Sequence, residues 1–337
     1  MGKAENYKKF KKIFPRVREG VFLAPFTTMR VGGRADLFLE AETEKDLIEA
    51  IAAAKKFGIP YFILGGGSNI IIADKGFGGV VIKNQNSKIE IQNYNSKSKI
   101  IQAAAGVLMS RLVRLAAENN LSGLEWAMGL PGTLGGAIYG NAGWPKEGRA
   151  ISDVIEKVMV LEIPNKSKIF NSESQIKIFK NSDCRFDYRD SIFKHKKNLI
   201  ILGAILRLQK GQKTEIKKRM NQVLNSRLEK QPKGFSSGCI FKNQKLKIKN
   251  RKLLRNFPEL KNFSKNGFVP AGWLIDQVGL KGKKIGGAKI SEMHANFIIN
   301  KKTAKALDIK KLIDLTKSEV AKKFGLKLEE EIEYLGG

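Results

Sequence analysis

A chain of 337 residues with 42% hydrophobic side chains can bury a sizeable core, which excludes a disordered or fibrous protein. No basic leader opens onto an apolar stretch and no run approaches the roughly 18 apolar residues of a membrane span, so the expectation is a cytoplasmic protein with no membrane partner. Two cysteines, Cys184 and Cys239, make no disulfide framework, two histidines, His195 and His294, leave little for a metal centre, and a net charge of +30 suggests an anionic partner.

The lysines are spread through expected loops at 88–99, 166–180 and 242–265, and no amphipathic helix or aromatic-interleaved stripe collects them. A solvated, lysine-rich surface is therefore the preferred reading, with nucleic-acid binding as the competing class. Residues 1–20 are basic and read as a short arm or helix. Residues 24–39 read as a turn, a strand, a Gly32-Gly33 break and a second strand. A helix is expected over 44–57: Thr43 can cap it, Leu47, Ile48, Ile51 and Ala54 make one apolar face, and Gly58-Ile59-Pro60 stops it.

Two apolar, β-branched runs, 61–64 and 70–73, then flank Gly65-Gly66-Gly67-Ser68-Asn69, which reads as strand, tight loop, strand. Glycines let backbone approach a ligand with no Cβ in the way, and successive N–H groups can converge into a nest suited to a pyrophosphate. The loop is not a Rossmann fingerprint, because a strand rather than a helix follows it. Taken alone, a plain glycine-rich hairpin explains it equally well. The first eighty residues are thus βαβ-like.

Residues 80–104 are β-rich, and 109–119 form a second amphipathic helix through Leu112, Leu115 and Ala116. Six glycines with Pro131 and Asn141 between 129 and 143 cannot be regular helix or strand throughout; they suit backbone threading past a large ligand. Strands are expected at 154–163, 176–179 and 199–208. Among them lies a polar and aromatic run from Cys184 to Lys194, and a helix over 214–230 marks a boundary.

Eight motifs then stand in one order: Thr27-Thr28-Met29-Arg30-Val31-Gly32-Gly33, the Gly-Gly-Gly-Ser-Asn loop, Gly129-Leu130-Pro131-Gly132-Thr133-Leu134-Gly135-Gly136-Ala137, Tyr188-Arg189-Asp190-Ser191-Ile192-Phe193, Ser237-Gly238-Cys239-Ile240-Phe241-Lys242, Ala271-Gly272-Trp273-Leu274-Ile275-Asp276, His294-Ala295-Asn296-Phe297-Ile298 and Leu328-Glu329-Glu330-Glu331-Ile332. From about Val21 to Gly336 the chain resembles the UDP-N-acetylenolpyruvoylglucosamine reductases, flavoenzymes that complete UDP-N-acetylmuramate in peptidoglycan synthesis and so serve cell shape and division. The run 230–239 and the Ala271-Gly272-Trp273 motif resemble the type that lacks an extra substrate-covering tyrosine loop.

The resemblance implies an α+β fold, with a two-lobed FAD-binding domain of the vanillyl-alcohol-oxidase (PCMH) type followed by a smaller α+β substrate-binding domain. The implied parts are 1–82 joined by 328–337, 83–212, and 213–327. It implies non-covalent FAD, held by Gly65, Gly66, Gly67, Ser68 and Asn69 and lined by Gly132, Thr133, Gly135, Gly136, Asn141, Ala142 and Gly143. NADPH would be the co-substrate and UDP-N-acetylglucosamine enolpyruvate the substrate, with Tyr188 and Lys242 binding it. The expected state is a monomer that binds no nucleic acid and holds no metal.

Hydride addition to the enolpyruvyl methylene leaves charge beside a carboxylate, which calls for a cation and an acid. By resemblance Arg189 is that cation, its planar fork suited to a carboxylate. Cys239 stands where the family most often has a proton-donating serine. A thiol, with an ordinary pKa near 8.5, is intrinsically the better acid; a buried structural cysteine is the other reading. Glu331 matches the family's catalytic glutamate. Strand alternation sets it on the face opposite Leu328 and Ile332, and Glu329 shares that face. Two alternatives remain at this stage: another flavin oxidase on the same FAD domain, and a basic nucleic-acid binder. The segment 244–267 is longer than the family's usual link and is either a surface excursion or a substrate cover.

Overall fold

The computed structural model describes residues 2–144, 147–164, 176–245 and 255–336. The chain divides into two compact units, the first comprising Met1–Val21, Ala35–Gly66 and Gly78–Glu229, the second Phe22–Arg34, Gly67–Phe77 and Lys230–Gly337.

In the first unit a four-stranded sheet runs in the order Arg18–Phe22, Arg34–Ala41, Phe77–Asn84, Tyr61–Leu64. The helix Glu44–Lys56 begins at a reciprocal cap: Thr43 Oγ1 accepts from the Asp46 N–H and Asp46 Oδ2 accepts from the Thr43 N–H, each at 3.0 Å. Such a cap contributes about 1 kcal/mol. Its apolar face, Leu47, Ile48, Ile51 and Ala54, packs with Leu37, Leu39, Val80 and Ile82 of the sheet and with Phe10 of the helix Lys3–Ile13.

A second, antiparallel sheet is built around Leu199–Lys210, which pairs with Ile155–Glu162 on one side and Ser98–Ala104 on the other, while Ile176–Lys180 and Ile89–Asn93 form its edges. Its core joins Leu206 and Leu208 to Leu112, Val113 and Ala116 of the helix Met109–Glu118 and to Trp126.

The hairpin reading of the first glycine loop does not hold, because Tyr61–Leu64 and Ile70–Ile72 never pair with each other. Tyr61–Leu64 runs parallel to Phe77–Asn84, with Tyr61 opposite Val80, and Ile70–Ile72 runs parallel to Glu333–Leu335, with Ile70 opposite Glu333. The physical reason lies in Ile70-Ile71-Ile72: all three are buried, the signature of a strand covered on both faces rather than the alternation of a half-exposed hairpin arm. The second glycine constellation also contains a six-residue helix, Leu134–Tyr139.

In the second unit the helix Ala306–Phe324 packs Ile309, Leu312, Ile313 and Val320 against Leu274, Ile275 and Ile290, and Gly325 ends it in the left-handed conformation (φ +66°). Its N-terminus is capped from far away in sequence, Asp74 accepting from the N–H groups of Ala306 (2.8 Å) and Leu307 (3.1 Å). Asn300 donates through Nδ2 to the carbonyls of Met29 (3.0 Å) and Arg30 (3.3 Å), which fixes the Thr-Thr-Met-Arg motif within this unit. The long segment 244–267 is closed at its base by Gln244–Lys245 pairing with Phe268–Val269. Its stretch 246–254, and the lysine-rich 166–175, lie outside the described residues.

Candidate active site

Within the first unit the two glycine stretches meet. A Cβ on Gly66 would lie 2.4 Å from the Gly132 Cα, and one on Gly65 would lie 2.7 Å from the Thr133 Oγ1, so the close approach is open to glycine alone. Lys83 reaches under the loop and donates through Nζ to the Gly65 carbonyl. Burial holds this ammonium below its ordinary pKa, with Glu40 acting the other way. In the second unit Gly67 (φ +63°) passes so near the Phe26 carbonyl that a Cβ would meet it at 2.1 Å, and its own carbonyl accepts from the Thr28 N–H at 3.0 Å. The Thr28 hydroxyl is shielded from solvent with no hydrogen-bond partner among the described residues. Asn69 is held at both ends: its Nδ2 donates to the Glu331 carbonyl (3.0 Å) and its carbonyl accepts from the Glu333 N–H (2.9 Å).

The expected lining residues Gly132, Thr133, Gly135 and Gly136 form the entry to the 134–139 helix, with the Thr133 Oγ1 accepting from the Gly136 N–H at 3.4 Å. The Gly135 and Ala142 N–H groups are spent on the Ala105 and Ala137 carbonyls, both at 2.8 Å. What these residues leave open to a ligand is close passage past their backbone. Asn141 adopts positive φ (+41°), and its Nδ2 donates to the Asp187 carbonyl at 2.9 Å. Arg189, also at positive φ (+54°), reaches back to the same turn, donating to the carbonyls of Gly143 (2.8 Å) and Asn141 (3.4 Å). The guanidinium lies 5.6 Å from the centre of the Tyr188 ring. The motif Tyr188-Arg189-Asp190-Ser191 and the end of the glycine constellation are therefore one hydrogen-bonded piece, to which Ser191 adds a 2.7 Å bond from its hydroxyl to the Tyr139 carbonyl.

The second unit brings Cys239, Lys242 and the acidic run 329–331 together. Phe241 pairs antiparallel with Glu330. The Glu331 N–H donates to the Ile240 carbonyl at 2.8 Å and the Lys242 N–H to the Glu329 carbonyl at 2.9 Å. The three acids are distinguished by their surroundings. Glu330 is bound by Lys317 and by the Tyr334 hydroxyl, whose pKa is pushed above its ordinary value by burial and by that carboxylate. Glu329, with 69% of its side chain exposed, lies 3.7 Å from the Lys242 ammonium. Glu331 has its main chain fixed on both sides, by Ile240 and by Asn69. Cys239 is partly exposed, whereas Cys184 is buried, its thiol pushed up to about 12 by burial with Asp183 adding to it.

The turn 291–297 closes against the extended segment 239–242, here called the cysteine strand, with Cys239 opposite Phe297 in an isolated bridge. His294 is half-buried there, and its Nδ1 faces the Asn296 N–H at 3.3 Å, an acceptor role that only the neutral imidazole can fill. Burial, with Lys281 adding, lowers its pKa. Because the folded value lies below the unfolded one, this stabilisation is fully present above about pH 6.5 and is lost as pH falls through the lowered value. We expect the melting temperature to fall between pH 7.5 and pH 5.5, and the fall to shrink in His294→Ala. Thermal melts of both proteins across that range check this, and an unchanged slope would exclude His294 as its source.

Lys83, Thr28 and Asn296 join these clusters without having been singled out from the sequence. Lys83 carried the clearest signal: a lysine at the end of the apolar run Val80-Val81-Ile82 must find an acceptor when it is buried.

Known proteins share this sequence and architecture. Residues 229–335 match the profile of the UDP-N-acetylenolpyruvoylglucosamine reductase C-terminal domain, and residues 35–165 match that of an FAD binding domain. A UDP-N-acetylenolpyruvoylglucosamine reductase from Synechococcus sp. (strain JA-3-3Ab) is 38% identical over 333 residues, covering 98% of this chain and 95% of its own. One from Caldicellulosiruptor bescii is 37% identical, covering 93% and 89%. The crystal structure of UDP-N-acetylenolpyruvylglucosamine reductase from Thermus caldophilus superposes with a TM-score of 0.71 at 33% identity, covering 95% of this chain and 99% of that one. The residues fit FAD: where Gly65-Gly66 packs against Gly132-Thr133, two side-chain-free stretches of backbone meet, as the passage of a large dinucleotide past main chain requires. The chain belongs to the UDP-N-acetylenolpyruvoylglucosamine reductase family, as an FAD-containing oxidoreductase of mixed α+β fold whose FAD binding domain precedes the family's C-terminal domain.

Proposed function

We propose that the protein reduces the enolpyruvyl ether of UDP-N-acetylglucosamine enolpyruvate to UDP-N-acetylmuramate, a step of peptidoglycan synthesis, with NADPH as reductant and Cys239 as proton donor. The observation that carries this reading is the antiparallel pairing of Phe241 with Glu330, which holds the cysteine strand and the acidic run at one place in the family's C-terminal domain. FAD, held where Gly65-Gly66 meets Gly132-Thr133, would supply the two-electron redox chemistry between NADPH and the enolpyruvyl group. The remaining work falls to side chains. Arg189, set by its bonds to Gly143 and Asn141, holds the substrate carboxylate as charge builds on the adjacent carbon. The Cys239 Sγ–H gives its proton to that carbon, and the thiolate left behind is reprotonated from solvent. Glu331, fixed through its main chain, orients the reacting group, and Tyr188 and Lys242 bind the UDP-sugar, Lys242 exchanging Glu329 for a phosphate.

The functional division we infer is 1–82 with 328–337, then 83–212, then 213–327; the parallel pairing of Glu333–Leu335 with Ile70–Ile72 supports counting the C-terminus with the first part. The enzyme works as a cytoplasmic monomer, and its excess of lysine is a solvated surface rather than a nucleic-acid site. Among the described residues no helix is long and apolar enough to cross a membrane.

An anaerobic visible spectrum tests the proposal. NADPH should bleach the bound flavin, and only the enolpyruvyl substrate should restore its colour. A flavin that NADPH cannot reduce, or one that reoxidises equally without the substrate, would overturn it. Arg189→Lys keeps the charge but loses the fork. We expect flavin reduction by NADPH within about threefold of wild type and substrate-driven reoxidation slower by about 100-fold or more, the cost of removing one stabiliser of developing charge. Stopped-flow absorbance of the two half-reactions separates these effects.

A further inference from the structure

The extended segment 239–242, joined to its neighbours by isolated bridges at Cys239 and Phe241, has two flanks, and they are bonded in different ways. On one flank it pairs with main chain alone, through Glu331 N–H to Ile240 O and Lys242 N–H to Glu329 O. On the other, a single residue provides most of the edge. The Asn296 carbonyl accepts from the Ile240 N–H (2.9 Å), its Oδ1 accepts from the Phe241 N–H (2.9 Å), and its Nδ2 donates to the Phe241 carbonyl (2.8 Å). The side-chain amide thus stands in for a peptide group of a missing neighbouring strand. Phe241 and Asn296 are each 2% exposed, so water cannot replace these bonds.

Asn296 is itself held. The Ser291 Oγ accepts from the N–H groups of Met293 (3.1 Å) and His294 (3.3 Å), the Phe297 N–H donates to the His294 carbonyl (2.9 Å), and the Asn296 N–H faces His294 Nδ1. Cys239 lies two residues from the clasped Phe241 and opposite Phe297, the residue after Asn296.

We propose that Asn296 is the positioning residue for proton delivery: its side-chain amide fixes the strand that presents the Cys239 thiol, an inference that rests on the reading of Cys239 as proton donor. It does not touch the reacting atoms. It sets where the thiol sits, and a displacement of about 1 Å at a reacting group costs on the order of 100-fold in rate.

The test uses full-length flavin-loaded Asn296→Ala, Asn296→Asp and Cys239→Ala beside wild type, with the two half-reactions followed by stopped flow. In Asn296→Ala, flavin reduction by NADPH should stay within about threefold, while reoxidation at saturating enolpyruvyl substrate slows about 100-fold. The solvent deuterium isotope effect on reoxidation should rise to about twofold or more as proton transfer becomes limiting, which general loosening would not produce. Asn296→Asp keeps the acceptor for the Phe241 N–H but loses the donor to its carbonyl, so it should slow reoxidation by about tenfold or more and decides the matter if the alanine variant does not fold. Wild-type reoxidation in either Asn296 variant, with Cys239→Ala slow, overturns the role of Asn296 alone. Wild-type reoxidation in Cys239→Ala overturns the donor assignment and this inference with it.

Discussion

Cys239→Ala should slow the return of flavin colour on adding the enolpyruvyl substrate by about 10² to 10⁴-fold, the range for loss of a positioned general acid. Bleaching by NADPH should be unchanged within about threefold, because that half-reaction needs no proton at the substrate carbon. Cys239→Ser restores a hydroxyl on the same strand and should recover all but about tenfold of the lost rate. The contrast matters because Cys184, the other thiol, is buried and donates to the Lys180 carbonyl at 3.5 Å, so it cannot substitute. Equal rates for both half-reactions in Cys239→Ala would remove the thiol from the mechanism.

Gly66→Ala should yield a protein that holds almost no flavin. The new Cβ would meet the Gly132 Cα at 2.4 Å, the Gly132 carbonyl carbon at 3.0 Å and the Thr133 N at 3.2 Å, all of them backbone atoms with no rotamer to yield. Both glycine stretches would have to separate, at a cost of about 1–3 kcal/mol for such overpacking. Gly58→Ala is the matched control. Gly58, unlike Gly66, has positive φ (+63°), but nothing lies within 4 Å of where its methyl would stand, so this variant should melt lower by the strain of a left-handed alanine and keep its flavin. The ratio of flavin to protein absorbance, read with a melting curve for each, checks the pair. Full flavin content in Gly66→Ala would mean that the two stretches do not form the cradle.

Much of this was legible in the residues. The helix Glu44–Lys56 could be read because Thr43, its apolar face and Gly58 all signal the same element, and Met109–Glu118 for a similar reason. The glycine stretches announced backbone that passes close to a ligand; their close packing on each other at Gly66 and Gly132 was not legible, because it joins segments far apart in sequence. The strand partners were not legible. Ile70-Ile71-Ile72 states that it is a covered strand but says nothing of Glu333–Leu335, since register with a distant segment is decided by packing and not by local pattern. The three consecutive glutamates show the same limit. Periodicity leaves Glu329 and Glu331 on one face, and it took the distant partners Lys242, Lys317, Tyr334 and Asn69 to tell the three apart. Asn296 stood in the motif His294-Ala295-Asn296-Phe297-Ile298, but its part in the structure was not legible, because that shows only once the backbone it clasps is known.

The second unit is assembled from three separated stretches of chain, and the bond from Asn69 to Glu331 joins residues 262 apart in sequence. On the ribosome this has a definite order. The segments 22–34 and 67–77 emerge early and can bond only among themselves, Thr28 N–H to the Gly67 carbonyl and Gly33 N–H to the Ala73 carbonyl, until Lys230–Gly337 follows to complete the unit. Loss of Glu333–Leu335 would therefore act beyond the three residues removed, because it leaves Ile70–Ile72 an unpaired apolar edge. Chains without that strand should depend on chaperones and partition into aggregates, so this three-residue pairing is a quality check on every copy of the enzyme.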